Sequence, residues 1–251
     1  VKMKRLLTSL LALVALCFST TAYADGVPAH FIITGSGFGH GVGLSQIGAE
    51  GLALEGKSAS DILTYYFPGT SITTTSINQD IRVNIAHQST YQSITGNNLQ
   101  LFKGDLLTAP VVVPQGATLK FAVVGKIISP TITFKGAPTQ ILSPNSLFTV
   151  KWDGVIKVAG ISLKYGSVNL RAVAGKMEVT ATMKLDTEYV YGISEMSSAW
   201  PTAAIQAQAI ASRTYALSRA ASIRKDCDCN LYNTIYDQNY VGYSKESEPN
   251  I

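Results

Sequence analysis

From Pro68-Gly69 to about Val190, apolar side chains recur at every second residue, the period of strands with one buried face. On either side they recur every third and fourth, the period of helices. Ile81, Val83 and Ile85 alternate with polar neighbours, as do Leu99 and Leu101. The runs 111–113, 119–124, 128–134 and 148–152 read as further strands broken by Gly and Pro, and 163–185 as two more around the turn Ala174-Gly175-Lys176. Residues 43–55 read as a short helix. A second opens on Ser58-Ala59-Ser60-Asp61, a capping box in which serine and acid satisfy orphan N–H groups. Its residues Ile62, Leu63 and Tyr66 share one face, and Pro68-Gly69 stops it. Trp200-Pro201 opens a third helix running to about Ala221, because proline fits a first turn whose N–H groups are unpaired. Ile205, Ala209, Ser212 and Ala216 form a small-residue stripe along it. The expected fold class is α+β: mainly antiparallel β strands, with two helical blocks, 44–67 and 201–221, flanking a cleft.

The 251 residues carry a formal charge of +4, but its source is local. Lys2, Lys4 and Arg5 precede an apolar stretch at 6–18, and Ala22-Tyr23-Ala24 reads as a cleavage site. The expectation is a signal peptide over 1–24, with secretion as the outcome and lipid anchoring at Cys17 as the alternative. Bulky Leu16 stands where a lipid acceptor needs a small neighbour. Three of the 20 Lys and Arg and none of the 16 acids lie in that segment, so the remainder is formally +1. Such a balance argues against nucleic acid or an anionic membrane as partner. Few charges and many Thr, Ser, Gly and Val suit an exported β-rich chain.

The chemistry concentrates in two blocks. In Gly35-Ser36-Gly37-Phe38-Gly39-His40-Gly41-Val42-Gly43, five glycines surround one histidine, and Leu44-Ser45-Gln46 follows. Glycine lets main chain approach a ligand closely, so His40, Ser45 and Gln46 are candidate binding residues, although glycine-rich turns also serve plain structure. In the second block, Tyr189-Val190-Tyr191-Gly192-Ile193-Ser194-Glu195-Met196 reads as a strand end that delivers Glu195 into the gap before the third helix. A carboxyl walled off by Met196 and Trp200 would be kept protonated and serve as a general acid; the structural account is that Glu195 caps the helix. Arg213 offers a clamp for carboxylate or sugar, and Tyr215 a hydroxyl or a half-buried ring. Asp237-Gln238-Asn239-Tyr240-Val241-Gly242 is a polar loop with an aromatic, a pattern found in sugar contacts, and His87 reads as structural. Cys227 and Cys229 would close a very small, strained ring if bonded. They would otherwise supply half a zinc site, for which no second pair exists, or lie in a redox-labile or mobile loop. No cofactor motif is present, and no metal site is expected beyond that half-site.

These blocks resemble the sporulation stage II protein D / LytB (amidase enhancer) family. The likeness covers residues 37–49, 62–70, 189–196, Trp200-Pro201 and 204–217. The resemblance implies a domain built from 25–75 and 163–251 around a β-rich insert at 76–162. It further implies Glu195 as catalytic acid, with His40, Ser45 and Gln46 lining a glycan cleft and Arg213 nearby; Tyr215 is a candidate substrate contact from its hydroxyl alone. The implied activity is lytic transglycosylation of peptide-stripped peptidoglycan strands, without a cofactor, at the periphery of the cell envelope. Glu195 would protonate the oxygen between N-acetylmuramic acid and N-acetylglucosamine, then accept the muramyl 6-hydroxyl proton as that oxygen closes on C1. Hydrolases usually need two carboxylates for such a bond, and no convincing second one accompanies Glu195. Two other expectations stand beside it: a non-catalytic wall-binding module that stimulates a cell-wall amidase, and a truncated remnant, since the family pattern continues past the position of Ile251. In many members the glycine-histidine block follows the glutamate block, whereas here it comes first.

Overall fold

The computed structural model describes Ile32 and residues 43–248. The chain divides into two compact units, 1–38 and 39–251, and everything below concerns the second. The fold class is α+β, with a sheet that is antiparallel except for one parallel pair.

The described residues form one 11-stranded sheet. Its strands are β1 (Asp80–Ser89), β2 (Tyr91–Lys103), β3 (Val111–Val112), β4 (Thr118–Val124), β5 (Ile127–Thr133), β6 (Gln140–Ile141), β7 (Leu147–Val158), β8 (Ile161–Leu163), β9 (Ser167–Val173), β10 (Lys176–Lys184) and β11 (Leu231–Tyr232). The order is β11-β1-β10-β9-β7-β2-β4-β5-β6, with β3 on β2 and β8 on β7. The segments 76–162 and 163–251 share this sheet, since β1 pairs with β10 and β7 with β9.

Alternation sorts the two faces of its first half. Ile81, Val83, Ile85, Val168, Leu170, Val179, Ala181 and Met183 are buried and belong to one core with Phe121, Phe148 and Tyr189. The intervening positions are polar: Arg82, Asn84, Asn169, Arg171, Glu178, Thr180 and Thr182. The β9–β10 hairpin turns on Ala174 and Gly175, both at positive φ (48° and 77°), the geometry that matches strand twist in two-residue turns.

Helices α1 (Gln46–Leu54), α2 (Ala59–Tyr66) and α3 (Thr202–Ala220) build a second, smaller core from Ala49, Ile62, Leu63, Met196, Ala204 and Ala207. The capping box forms as the pattern predicts. Ser58 Oγ accepts from Asp61 N, and Asp61 Oδ2 accepts from Ser58 N at 3.0 Å. The Ser58 hydroxyl, which donates to Asp61 Oδ2 at 2.7 Å, and then the Ser58 N–H hold the Asp61 carboxyl below its ordinary range. Gly48 sits where a Cβ would lie 1.8 Å from the Tyr66 hydroxyl, so a side chain there would displace the Tyr66 ring from its place against α1. Two expectations need correction. The buried line of α3 runs through Ala204, Ala207, Ser212 and Ala216, while Ile205 and Ala209 are half-buried. Pro201 is the N-cap, outside the first turn.

Candidate functional site

The chain leaves β10 as two successive helical turns, Leu185–Tyr189 and Val190–Gly192, and not as the strand end that its β-favouring residues suggest. Burial decides this. Leu185 and Tyr189 are both wholly inaccessible while Thr187 between them is exposed, a pattern that a helical turn gives and a strand, which would put all three on one face, does not. Beyond them Ile193 bridges antiparallel to Tyr240, so the segments 192–194 and 239–241 run side by side. Val241 N donates to Gly192 O, Ser194 N to Asn239 O at 2.8 Å, and Asn239 Nδ2 to Ser194 O. A Cβ on Gly192 would stand 2.3 Å from the Tyr240 ring, which explains the bare residue there.

Glu195 follows directly and is half-buried. Its Oε1 accepts the main-chain N–H of Asn239 at 2.6 Å. Its Oε2 accepts from Gln46 Nε2 at 3.3 Å, across 149 positions of sequence. Gln46 reaches it as the first residue of α1, whose N-cap is Ser45, with Oγ accepting from Gly48 N. The neighbouring Met196 is buried in the helical core, and Lys245 Nζ, itself buried, donates to its carbonyl at 3.0 Å.

Behind Asn239 stands Asp237, a carboxylate with no exposed side-chain surface. Arg224 grips it with two bonds of 2.7 and 2.8 Å, the Tyr215 hydroxyl donates at 2.6 Å, and Tyr232 N donates at 2.8 Å. Burial and the bond to Asp237 raise the Tyr215 phenol, and the same carboxylate raises the Arg224 guanidinium. Between these points Gln238 Oε1 accepts from the Tyr189 hydroxyl, and the Tyr240 ring stacks on Tyr189 at 5.4 Å. Desolvation drives both phenols upward.

Thus, of the residues expected at the site, the fold joins Gln46 to Glu195 and places Ser45 at the helix start beside them. The Arg213 guanidinium lies 3.8 Å from Asp186, and the Tyr215 hydroxyl is on Asp237; among the described residues no hydrogen bond or ion pair joins either to Glu195. His40 lies outside the described residues. Asn239, Asp237 and Lys245 are the contributors that sequence reasoning missed as individuals. The polar loop 237–242 had drawn notice as a sugar-contact pattern, but its side chains mostly face inward.

The cysteines differ from expectation. Cys227 and Cys229 form a disulfide and are wholly buried, in a docked loop and not a mobile one. Bonded so, neither is a thiolate able to take zinc. Asp228 between them adopts φ 52°, a left-handed conformation that aspartate tolerates. Its carboxylate is paired with Arg82 and Arg171. His87 Nδ1 meets the buried Glu178 at 2.8 Å, alongside Asn84.

Comparison with known proteins reaches the second of the two sequence blocks. Residues 173–251 match the SpoIID family model, described as Stage II sporulation protein. Over this segment the chain is similar to the SpoIID family. The SpoIID match holds Glu195, Asp237 and Asn239 together. Stage II sporulation protein D of Bacillus subtilis (strain 168) is 58% identical over 40 residues, 16% of this chain and 12% of that protein. The amidase enhancer of the same organism is 51% identical over 43 residues, 17% of this chain and 6% of its own. Stage II sporulation protein D of Bacillus amyloliquefaciens is 55% identical over 40 residues, again 16% and 12%. The aligned stretches therefore span an eighth or less of these relatives. No solved structure matches the chain. No helix among the described residues is long and apolar enough to cross a membrane.

Proposed function

We propose that this protein is secreted and acts on the bacterial cell wall, cleaving peptidoglycan glycan strands as a lytic transglycosylase with Glu195 as its acid and base. The observation that supports this most is the seating of Glu195. Two donors from distant segments fix its two oxygens, yet the side chain remains half-exposed at the meeting of the two sequence blocks. A single carboxyl is sufficient for the reaction. Glu195 donates its proton to the bridging oxygen, the glycosidic bond breaks, and the muramyl 6-hydroxyl oxygen bonds to C1 while returning its proton to Glu195. The products are a 1,6-anhydro end and a free sugar end, with no water consumed.

Inverting and retaining hydrolysis both ask for a second carboxylate. Asp237, two residues before the Asn239 amide, has both oxygens occupied by Arg224, Tyr215 and Tyr232 and no exposed surface. It is not available as a base, which favours intramolecular attack. Incubated with amidase-treated peptidoglycan, the purified protein is expected to release anhydromuropeptides visible by mass spectrometry, and Glu195→Gln is expected to release none. A folded parent protein yielding no anhydro product rejects the proposal.

A second reading has its own support, the likeness to a protein named amidase enhancer. On that reading the same site binds wall strands without cutting them, and the protein stimulates a cell-wall amidase. Co-sedimentation with wall material, together with amidase stimulation undiminished in Glu195→Gln, would favour it.

A further inference from the structure

Asp237 has the features of a residue acting through another. Its carboxylate is fully buried and receives four hydrogen bonds, from Arg224, Tyr215 and Tyr232. Two residues further on, the Asn239 N–H points at Glu195 Oε1 at 2.6 Å, the shorter of the two bonds given for that acid. The two residues between and beyond are immobilised as well, Gln238 by the Tyr189 hydroxyl and Tyr240 by stacking on Tyr189. Asn239 itself is tied to Ser194 in both directions. The direction of one main-chain N–H is therefore over-determined by an ion pair at one end and a stacked ring at the other.

We infer that Asp237, with Arg224 and Tyr215, is a positioning group: it anchors the 237–240 loop so that the Asn239 amide aims the Glu195 carboxyl at the scissile glycosidic oxygen. This rests on the reading of Glu195 as the reacting acid. An acid whose carboxyl is held in one orientation transfers its proton from a near-attack geometry, and misplacement by about 1 Å costs on the order of a hundredfold in rate. Tyr215 and the 237–242 loop, which sequence reading assigned to sugar contact, thereby act on the acid and not on the sugar.

Two readouts test this independently. In kinetics on glycan strands, Asp237→Asn should lower kcat by about a hundredfold and Tyr215→Phe by about tenfold, each leaving KM within about twofold. A rise in KM with kcat unchanged in both single variants overturns the inference. Tyr215→Phe removes one hydroxyl and keeps the ring, so it remains informative where Asp237→Asn fails to fold. In nitrogen-15 NMR, the Asn239 amide proton should resonate downfield because it donates to a carboxylate, and should move upfield in Glu195→Gln and again in Tyr215→Phe. If Glu195→Gln moves that resonance and Tyr215→Phe does not, the loop is not positioned through Asp237. If the parent shows no turnover while the resonance responds to both variants, the positioning stands and only the transglycosylase reading fails.

Discussion

The loop after α3 has two stretches built to opposite purposes. At its start, Cys227-Asp228-Cys229-Asn230 is welded to the polar face of the sheet. Asn84 and Thr180 donate to the Cys227 carbonyl, Arg82 and Arg171 pair with Asp228, and Asn230 exchanges bonds with the Arg82 main chain. The Asn230 amide also donates to carbonyls 219, 220 and 222 at the end of α3. At the other end, Asn239 offers a single N–H to a half-exposed acid. The comparison shows how buried polar bonds can be concentrated in one stretch so that a reactive group elsewhere stays open. Asp228 serves structure alone and Asp237 anchors the loop, while Glu195 has two donors among the described residues.

If that division is right, its structural side should be costly to damage. Asp237→Ala would strand the Arg224 guanidinium, the Tyr215 hydroxyl and the Tyr232 N–H at once. Breaking such a pair one-sidedly costs about 3–5 kcal/mol, readable in a urea unfolding curve. A loss below about 1 kcal/mol would mean that the network carries little of the fold. Next in size is the disulfide. Replacing Cys227 and Cys229 by Ser removes a cross-link spanning three residues, for which chain entropy predicts only about 1–2 kcal/mol. Asp228 and Asn230 retain their partners in this variant, so the expectation is a lowered melting temperature with the loop still docked. A loss equal to that of Asp237→Ala would show that the covalent bond, and not the arginines, holds the loop.

These differences explain how far the sequence could be read. The capping box at Ser58 and the hairpin at Ala174-Gly175 were legible because both partners of each bond lie within a few residues. Gln46 and Glu195 were each legible as polar groups in conspicuous surroundings, but their bond spans 149 positions and depends on how α1 packs against α3. Nothing local separates Asp237 from a solvent-facing aspartate, since its partners Tyr215 and Arg224 lie 22 and 13 residues away. The cysteine spacing looked prohibitive for a disulfide because it conceals the left-handed Asp228 and the arginines at 82 and 171 that anchor it. The turns at 185–192 misled for a related reason: Val190 and Tyr191 favour strands, while burial of Leu185 and Tyr189 with Thr187 exposed between them overrides that preference.

A smaller effect tracks pH. Desolvation, and then the bond to Asp226, push the Tyr232 phenol up to about 12, and burial raises Tyr215 as well. A group whose folded pKa exceeds its unfolded value, near 10 for tyrosine, adds stability that is complete below pH 10. That contribution declines as pH rises through about 12. The melting temperature should therefore fall from pH 10 upward, on the side of the loop that serves structure. Tyr232→Phe should flatten part of that slope, and an unchanged slope would show that this phenol does not contribute.

The smallest expected effect is on Glu195 itself, and it bears most directly on the comparison. Glu195→Gln keeps the volume of the side chain and leaves its carbonyl oxygen to accept the Asn239 N–H. The Gln46 amide can turn its own oxygen toward the new NH2 group, so every partner remains satisfied. A substitution of that kind on a half-exposed side chain shifts stability by no more than about 0.5 kcal/mol. Wall cleavage, on the proposed reading, disappears entirely. An acid present for the fold would reverse the pattern, with Glu195→Gln destabilising the protein and leaving activity intact. Matched melting curves and product analysis on the same two samples therefore decide whether the open carboxyl is held for chemistry or is a cap left at the end of a structural loop.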